Sequence, residues 1–394
     1  MKKMRLVLLC AAVFGVGAAF GQNRTDNVAP ESDFKVGINT AGNGWVITAY
    51  TGYGGDVIIP AEIRDFPVRE IRGAFANHSN LASVVIPAGV TLIGDRAFYD
   101  CSNLTSVTIP DSVTLIGDRA FADCRNLASV AIPEGVTTIG DRAFADCRNL
   151  ASVTIPPSVT LIGERAFAGS NLAAVVIPKG VTLIGERAFY DCRSLASVAI
   201  PDSVREIGEA AFWGCRSLAS VVIPDGVTVI GDRAFSDCST LTSVTIPDSV
   251  TLIGERAFAG SNLAAVAIPD SVTLIGDRAF YECRNLASVT IPDSVREIGE
   301  AAFWGCRSLA SVVIPDGVTM IGAWAFSECR NLASVTIPDS LMTIGAWAFS
   351  RCGSLATVNI APINRRWGED SFSGCKFNLA SRTALKKAGY TGSF

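Results

Sequence analysis

The chain has 394 residues, 49% of them hydrophobic and 18% charged, with a formal net charge of −4. Nucleic acid and anionic membrane surfaces both ask for a strongly basic face, so this balance argues against either partner. Length alone would suggest two or three globular domains, but an internal repeat overrides that prior.

Residues 1–21 read as a signal peptide. Lys2, Lys3 and Arg5 form a positive start, Leu6 to Phe20 an apolar stretch, and Ala19-Phe20-Gly21 a small-x-small end, so cleavage is expected after Gly21. About fifteen apolar residues are short for a membrane span. Cys10 sits inside that stretch behind the bulky Leu9, which argues against lipidation; membrane contact is expected only if the chain is lipid-anchored. Residues 22–55 read as a loose arm followed by a cap. Within it, residues 33–50 place two apolar runs either side of Asn43-Gly44, a hairpin that would cover the first coil.

Residues 56–377 form the repeat region. One copy, Leu104 to Asn126, reads Leu-Thr-Ser-Val-Thr-Ile-Pro-Asp-Ser-Val-Thr-Leu-Ile-Gly-Asp-Arg-Ala-Phe-Ala-Asp-Cys-Arg-Asn. Full units begin at Leu81, Leu104, Leu127, Leu150, Leu172, Leu195, Leu218, Leu241, Leu263, Leu286, Leu309 and Leu332, with degenerate ones at 56–80 and 355–377. About 14 turns of roughly 23 residues predict a leucine-rich repeat solenoid, mostly β with short helical turns and a curved parallel sheet on its concave face. Positions are numbered from the Leu that opens each unit. Alternation over positions 3–6 marks a strand, and Pro at position 7 ends it because it has no N–H for the ladder. Val at position 10 and Ile at position 13 turn back inward, and Gly at position 14 permits a sharp bend. Asp-Arg-Ala-Phe-x-x-Cys is then expected to make one or two helical turns.

Two turns, at 168–171 and 259–262, are one residue short, and other idiosyncrasies recur at the same 91-residue offset. The segments 150–240 and 241–331 therefore look like a duplicated four-turn block. Residues 378–394 form the other cap, with Trp367 in a position 13 slot and a short helix expected over 381–389.

Eleven cysteines share position 21, from Cys101 to Cys375. Rungs stacked in register hold their Cβ vectors parallel, so a ladder of buried free thiols is expected in place of disulfides.

The pattern Leu-x-x-Val-x-Ile-Pro-x-x-Val-x-x-Ile-Gly-x-x-Ala-Phe-x-x-Cys resembles the bacterial leucine-rich repeats of the BspA-like and treponemal type. Tyr50 to Pro60 looks like that family's entry segment. The resemblance implies an exported protein, on the cell surface, associated with the outer membrane, periplasmic or secreted, and implicated in adhesion to host matrix or cells. It carries over no catalytic residues.

An enzyme needs residues that break the repeat, and few do. His78, the single histidine, falls in the position 21 slot of the first turn, which points to packing. With no second imidazole and no Cys-x-x-Cys, no metal and no cofactor are expected. A β-helix lyase would need acids and bases on one strand face, and positions 3 and 5 carry none. Position 5 is small and uncharged, with Thr108, Thr154, Val222, Thr245, Thr290 and Val313 as its candidate binding residues. More singular are the rings. Position 19 carries Tyr190 and Trp213 on adjacent turns, then Tyr281 and Trp304, and position 16 carries Trp324 and Trp347. Acids at position 15 and arginines at positions 16 and 22 read as solvated charge ladders. The expected function is non-enzymatic capture of a protein ligand, such as host extracellular matrix. Self-association into a homo-oligomer or an envelope lattice is the alternative.

Overall fold

The computed structural model describes residues 28–363 and 365–394; the segment read as a signal peptide lies outside them. Each turn contributes two short parallel strands. The first covers positions 3–5, as in Ser220–Val222, which lies in register with Ser243–Thr245 of the next turn. Pro at position 7 closes it, and the Pro carbonyl accepts the position 10 N–H, as from Val113 to Pro110 at 3.1 Å. The second strand covers positions 12–13, as in Leu115–Ile116 beside Thr138–Ile139.

The position 12–13 ladder is the more continuous of the two. Nine of its strands run in one sheet from Leu183–Ile184 to Arg366–Trp367. It breaks between Leu161–Ile162 and Leu183–Ile184, across the first short turn, and at the second short turn only Ile253 and Ile275 remain paired. Removing one residue from a turn thus costs a ladder contact. The position 3–5 strands form sheets of two or three, because three residues stopped by Pro offer few ladder bonds.

Most turns bury the residues at positions 1, 10, 13, 17, 18 and 21 completely; in the second turn these are Leu104, Val113, Ile116, Ala120, Phe121 and Cys124. No single turn encloses them, so the core exists only between neighbours. Its spine is a stack of phenylalanines from Phe75 to Phe372, with ring centroids 4.9 to 5.6 Å apart and planes within 16° of parallel. Offset or stacked rings add about 0.5–1.5 kcal/mol per pair beyond area burial.

Positions 15–21 do not form helical turns. Arginines at position 16 and acids at position 20 take the left-handed conformation, with φ of 53° at both Arg96 and Asp100. A left-handed residue every fourth position interrupts a right-handed helix. The amides instead alternate. Arg96, Phe98 and Asp100 donate to carbonyls of the next turn at 2.7–2.9 Å, while Ala97, Tyr99 and Cys101 close local turns at 3.2–3.3 Å. Half of these bonds therefore stitch turn to turn, where a helix would keep them all within one segment.

Gly at position 14 has a different reason from the bend expected of it. Its φ is not positive; the preceding turn simply lies too close for a Cβ. One added at Gly276 would sit 2.6 Å from the Ile253 carbonyl oxygen.

Both ends are covered. Strands Phe34–Ile38 and Trp45–Tyr50 form an antiparallel hairpin, and the second of these pairs parallel with Phe66–Ile71 to close the position 12–13 ladder. At the far end Trp367 pairs with Ile344, and the helix Leu379–Lys387 is capped by Asn378. The Ser381 hydroxyl accepts the Val358 N–H at 3.0 Å, and the buried Arg365 donates to the carbonyls of Pro338, Leu341, Ala361 and Ile363. Edge groups that would otherwise template another strand are satisfied.

Candidate interaction surfaces of the solenoid

Two columns of side chains run along the turns and reach solvent. The first is the strand column, positions 3 and 5. The alternation that turns Val at position 4 and Ile at position 6 inward points these residues outward. Thr108, Thr154, Thr245 and Thr290 are exposed, and Val222 and Val313 are 71% and 66% exposed. Strand register brings these residues into line: Val222 sits beside Thr245, and Val313 beside Thr336. Between Ser288 and Pro338 the column opens into a hollow of about 550 Å³, floored by Thr290, Val313 and Thr336 and rimmed by Asp293 and Asp316.

The second is the turn column, positions 16, 19 and 20. Tyr190 stacks on Trp213 with centroids 4.6 Å apart, and Tyr281 on Trp304 at 4.7 Å. Trp324 and Trp347, at position 16, stack at 5.2 Å. Trp324 is exposed and the other five rings are half-buried. Between the two position 19 pairs stand only Ser236 and Ala259, which leaves a hollow of about 380 Å³ ended by Trp213 and Tyr281. Arg233, Arg256 and Arg278 line one wall, and Asp237 and Glu282 the other. Beyond Trp304 a second hollow, about 310 Å³, opens over Ser327 and Ser350 beside Trp324 and Trp347.

Charges on this column pair across turns. Arg187 reaches Glu209 at 2.7 Å, Arg233 reaches Glu255 at 3.5 Å, and Arg278 contacts Glu300. Burial pushes the Asp237 carboxyl up, against the pull of Arg216. Burial would raise Glu328 too, but hydrogen bonds from Arg330 and Arg351 prevail and hold it below the usual carboxylate range.

Beneath the turn column lie the cysteines. All eleven among the described residues are free and buried, and each thiol donates to the carbonyl of the preceding turn's Phe at 3.0–3.3 Å. In the two short turns Ser170 and Ser261 take this slot and make the same bond at 3.1 Å. Burial pushes the Cys101, Cys192 and Cys283 thiols up to about 12, so none is poised as a nucleophile. His78, in the same slot, packs its ring on Tyr50 and Phe75.

A family model described as "BspA type Leucine rich repeat region (6 copies)" matches residues 71–196, 166–285 and 253–379. The chain belongs to the BspA-type leucine-rich repeat family. Among solved structures, this BspA-type repeat protein is similar to a leucine-rich repeat protein from Bacteroides ovatus ATCC 8483. That match has 29% identity and a TM-score of 0.70, covering 89% of this chain and 92% of that one. It is also similar to a leucine rich cell surface protein from Faecalibacterium prausnitzii A2-165, with 29% identity, a TM-score of 0.50, and 91% and 97% of the two chains covered. The pneumococcal vaccine antigen PcpA shares the fold at 20% identity and a TM-score of 0.54, with 90% and 93% covered. A comparison with curated proteins gives no match.

The leucine-rich repeat is a scaffold for protein interaction, and what the BspA-type frame offers here is side chains at fixed spacing. It aligns the position 5 residues in one column and the six rings in another. Two features escaped the sequence. Position 12 faces outward, leaving Leu161, Leu183, Leu252 and Leu274 37–48% exposed; the Leu-Ile alternation before Gly was the signal for it. The hollows between ring pairs were the other, visible in sequence only as small residues at 236, 259, 327 and 350.

Proposed function

We propose that this protein is exported, works at or near the cell surface, and captures a protein ligand through the strand column without catalysing a reaction. Adhesion to host extracellular matrix or to other cells is the specific form of that reading. One observation carries it: a column of exposed small residues, Val, Thr or Ala in each full turn, that opens into a hollow rimmed by Asp293 and Asp316. Val176, Val222 and Val313 stand two or more turns apart and are 66–71% exposed, apolar area that the fold itself leaves unburied. Small side chains let a partner approach the backbone closely, and the acidic rim favours a partner with basic or amide groups. The leader-like segment at residues 1–21 and the cell-surface description of the Faecalibacterium relative support export.

The test is binding of the purified protein to a panel of extracellular-matrix proteins, at physiological and high salt. Saturable binding that survives salt is expected, together with its loss in a Val222→Lys, Val313→Lys double variant that unfolds at the same temperature as the parent. Binding that is absent, or unchanged in that variant, contradicts the reading.

A further inference from the structure

The turn column alternates between rings and small residues. From the turn of Tyr190 to that of Ser350, position 19 reads ring, ring, gap, gap, ring, ring, gap, gap. Rings within a pair are 4.6 and 4.7 Å apart, and the buried Phe rungs behind them step by 5.2 to 5.5 Å. A ring pair and a two-turn gap therefore have matching widths. The pairs are stacked within 13° and 9° of parallel, so the outer faces of Trp213 and Tyr281 look along the solenoid toward each other across the gap.

We propose that the turn column is a dimer interface, occupied by the same column of a second, antiparallel copy of this chain. A two-fold interface must be self-complementary, with each residue meeting a counterpart that it also receives. Place the axis between the turns of Ala259 and Tyr281. Tyr281 then meets Ala259 of the other copy, and Trp304 meets Ser236. Farther out, Tyr190 meets Ser350 and Trp213 meets Ser327. All four rings enter small-residue gaps, and both observed hollows are filled.

Charge picks this register independently of shape. At position 20, Asp191, paired in its own chain with Arg193, falls opposite Arg351, paired in its own chain with Glu328. Asp237 and Glu328 fall opposite Gly305 and Gly214, so no carboxylates oppose at this position. At position 16, Arg187 falls opposite Trp347, and Trp324 opposite Ala210. At position 16 one like-charged contact remains, Arg256 with Arg278, and each partner already has a carboxylate, Glu255 and Glu300. At the flanking positions Arg216 falls opposite Arg330, Asp232 opposite Glu300 and Glu255 opposite Asp277. A register centred two turns earlier also fits rings to small residues, but it sets Arg187 against Arg256 and Arg165 against Arg278. The duplication of a four-turn block explains how such a pattern arises: two rings and two gaps, repeated once, form a surface complementary to its own reverse.

This interface is separate from the strand column, so failure of one proposal leaves the other standing. Sedimentation velocity of the purified protein across a range of concentrations tests it. A shift from monomer to dimer is expected with no ligand added. Filling the gap in Ser236→Trp with Ala259→Tyr lengthens the chain's own ring stack but leaves no room for the partner, so this variant is expected to stay monomeric. Asp191→Arg should weaken the dimer by about tenfold, and adding Arg351→Asp should restore it. A monomeric native protein at every concentration, gap-filled variants that dimerise normally, or charge variants that do not compensate would overturn the proposal. Capture of a different protein by these rings in a protein that stays monomeric would do so as well.

Discussion

The strand column and the turn column are built from the same repeat, yet they have diverged in opposite directions. Along the strand column every full turn shows small residues, Ser or Ala at position 3 and Thr, Val or Ala at position 5. Along the turn column the variation is between a ring and almost nothing, with hollows of 380 and 310 Å³ where rings are missing. The difference teaches where a solenoid tolerates change. Position 5 keeps a small side chain on a three-residue strand, in register with its counterpart in the neighbouring turn. Position 19 lies outside the Phe stack, where a ring only extends a ladder that is already stable.

Breaking what lies under the turn column should cost most. Burial raises the thiols from Cys101 to Cys352, so the folded state keeps their protons while an unfolded thiol releases its own near about pH 8.5. Above that pH the unfolded chain binds fewer protons, so stability falls as pH rises. Each raised thiol contributes up to about 1.4 kcal/mol per pH unit. Urea unfolding followed from neutral to strongly alkaline pH should show the midpoint dropping steeply once the unfolded thiols ionise. Native thiols should resist alkylation by iodoacetamide at neutral pH.

Removing one rung of the spine comes next. Phe235→Ala should destabilise by about 3–5 kcal/mol, read by the same titration, and the transition should broaden because coupling passes only between neighbours. Gly276→Ala should cost about 1–3 kcal/mol, since the preceding backbone must move away from the new Cβ. Cys238→Ser should cost under about 1 kcal/mol, because Ser170 and Ser261 already make the same hydrogen bond from that slot. Smallest of all, Val222→Thr should change stability by no more than about 0.5 kcal/mol, although it alters the strand column directly.

The solenoid, its inward residues and the thiol ladder were legible because each is a property of one turn repeated. The opening Leu, the core Phe and the Cys three residues after it recur at fixed spacing, and nothing else in the chain competes with them for the core. Positions 15–21 misread as helical because Arg and Ala are good helix formers; what decides the matter is the left-handed Arg and Asp, whose amides donate to the next turn. The second ladder was missed because two residues are too short to show a period. The adjacency of Tyr281 and Trp304 could be read from register. The space between Trp213 and Tyr281 depends instead on how far Arg233, Arg256 and Arg278 stand aside, and that is set by their pairing with glutamates.

Hydroxyl-radical footprinting of the native protein at low and high concentration reads both columns at once. Rising concentration should protect Trp213, Tyr281 and Trp304 while leaving Val222 and Val313 as reactive as before. Protection of the valines with the rings unchanged would contradict the division of labour between the two columns.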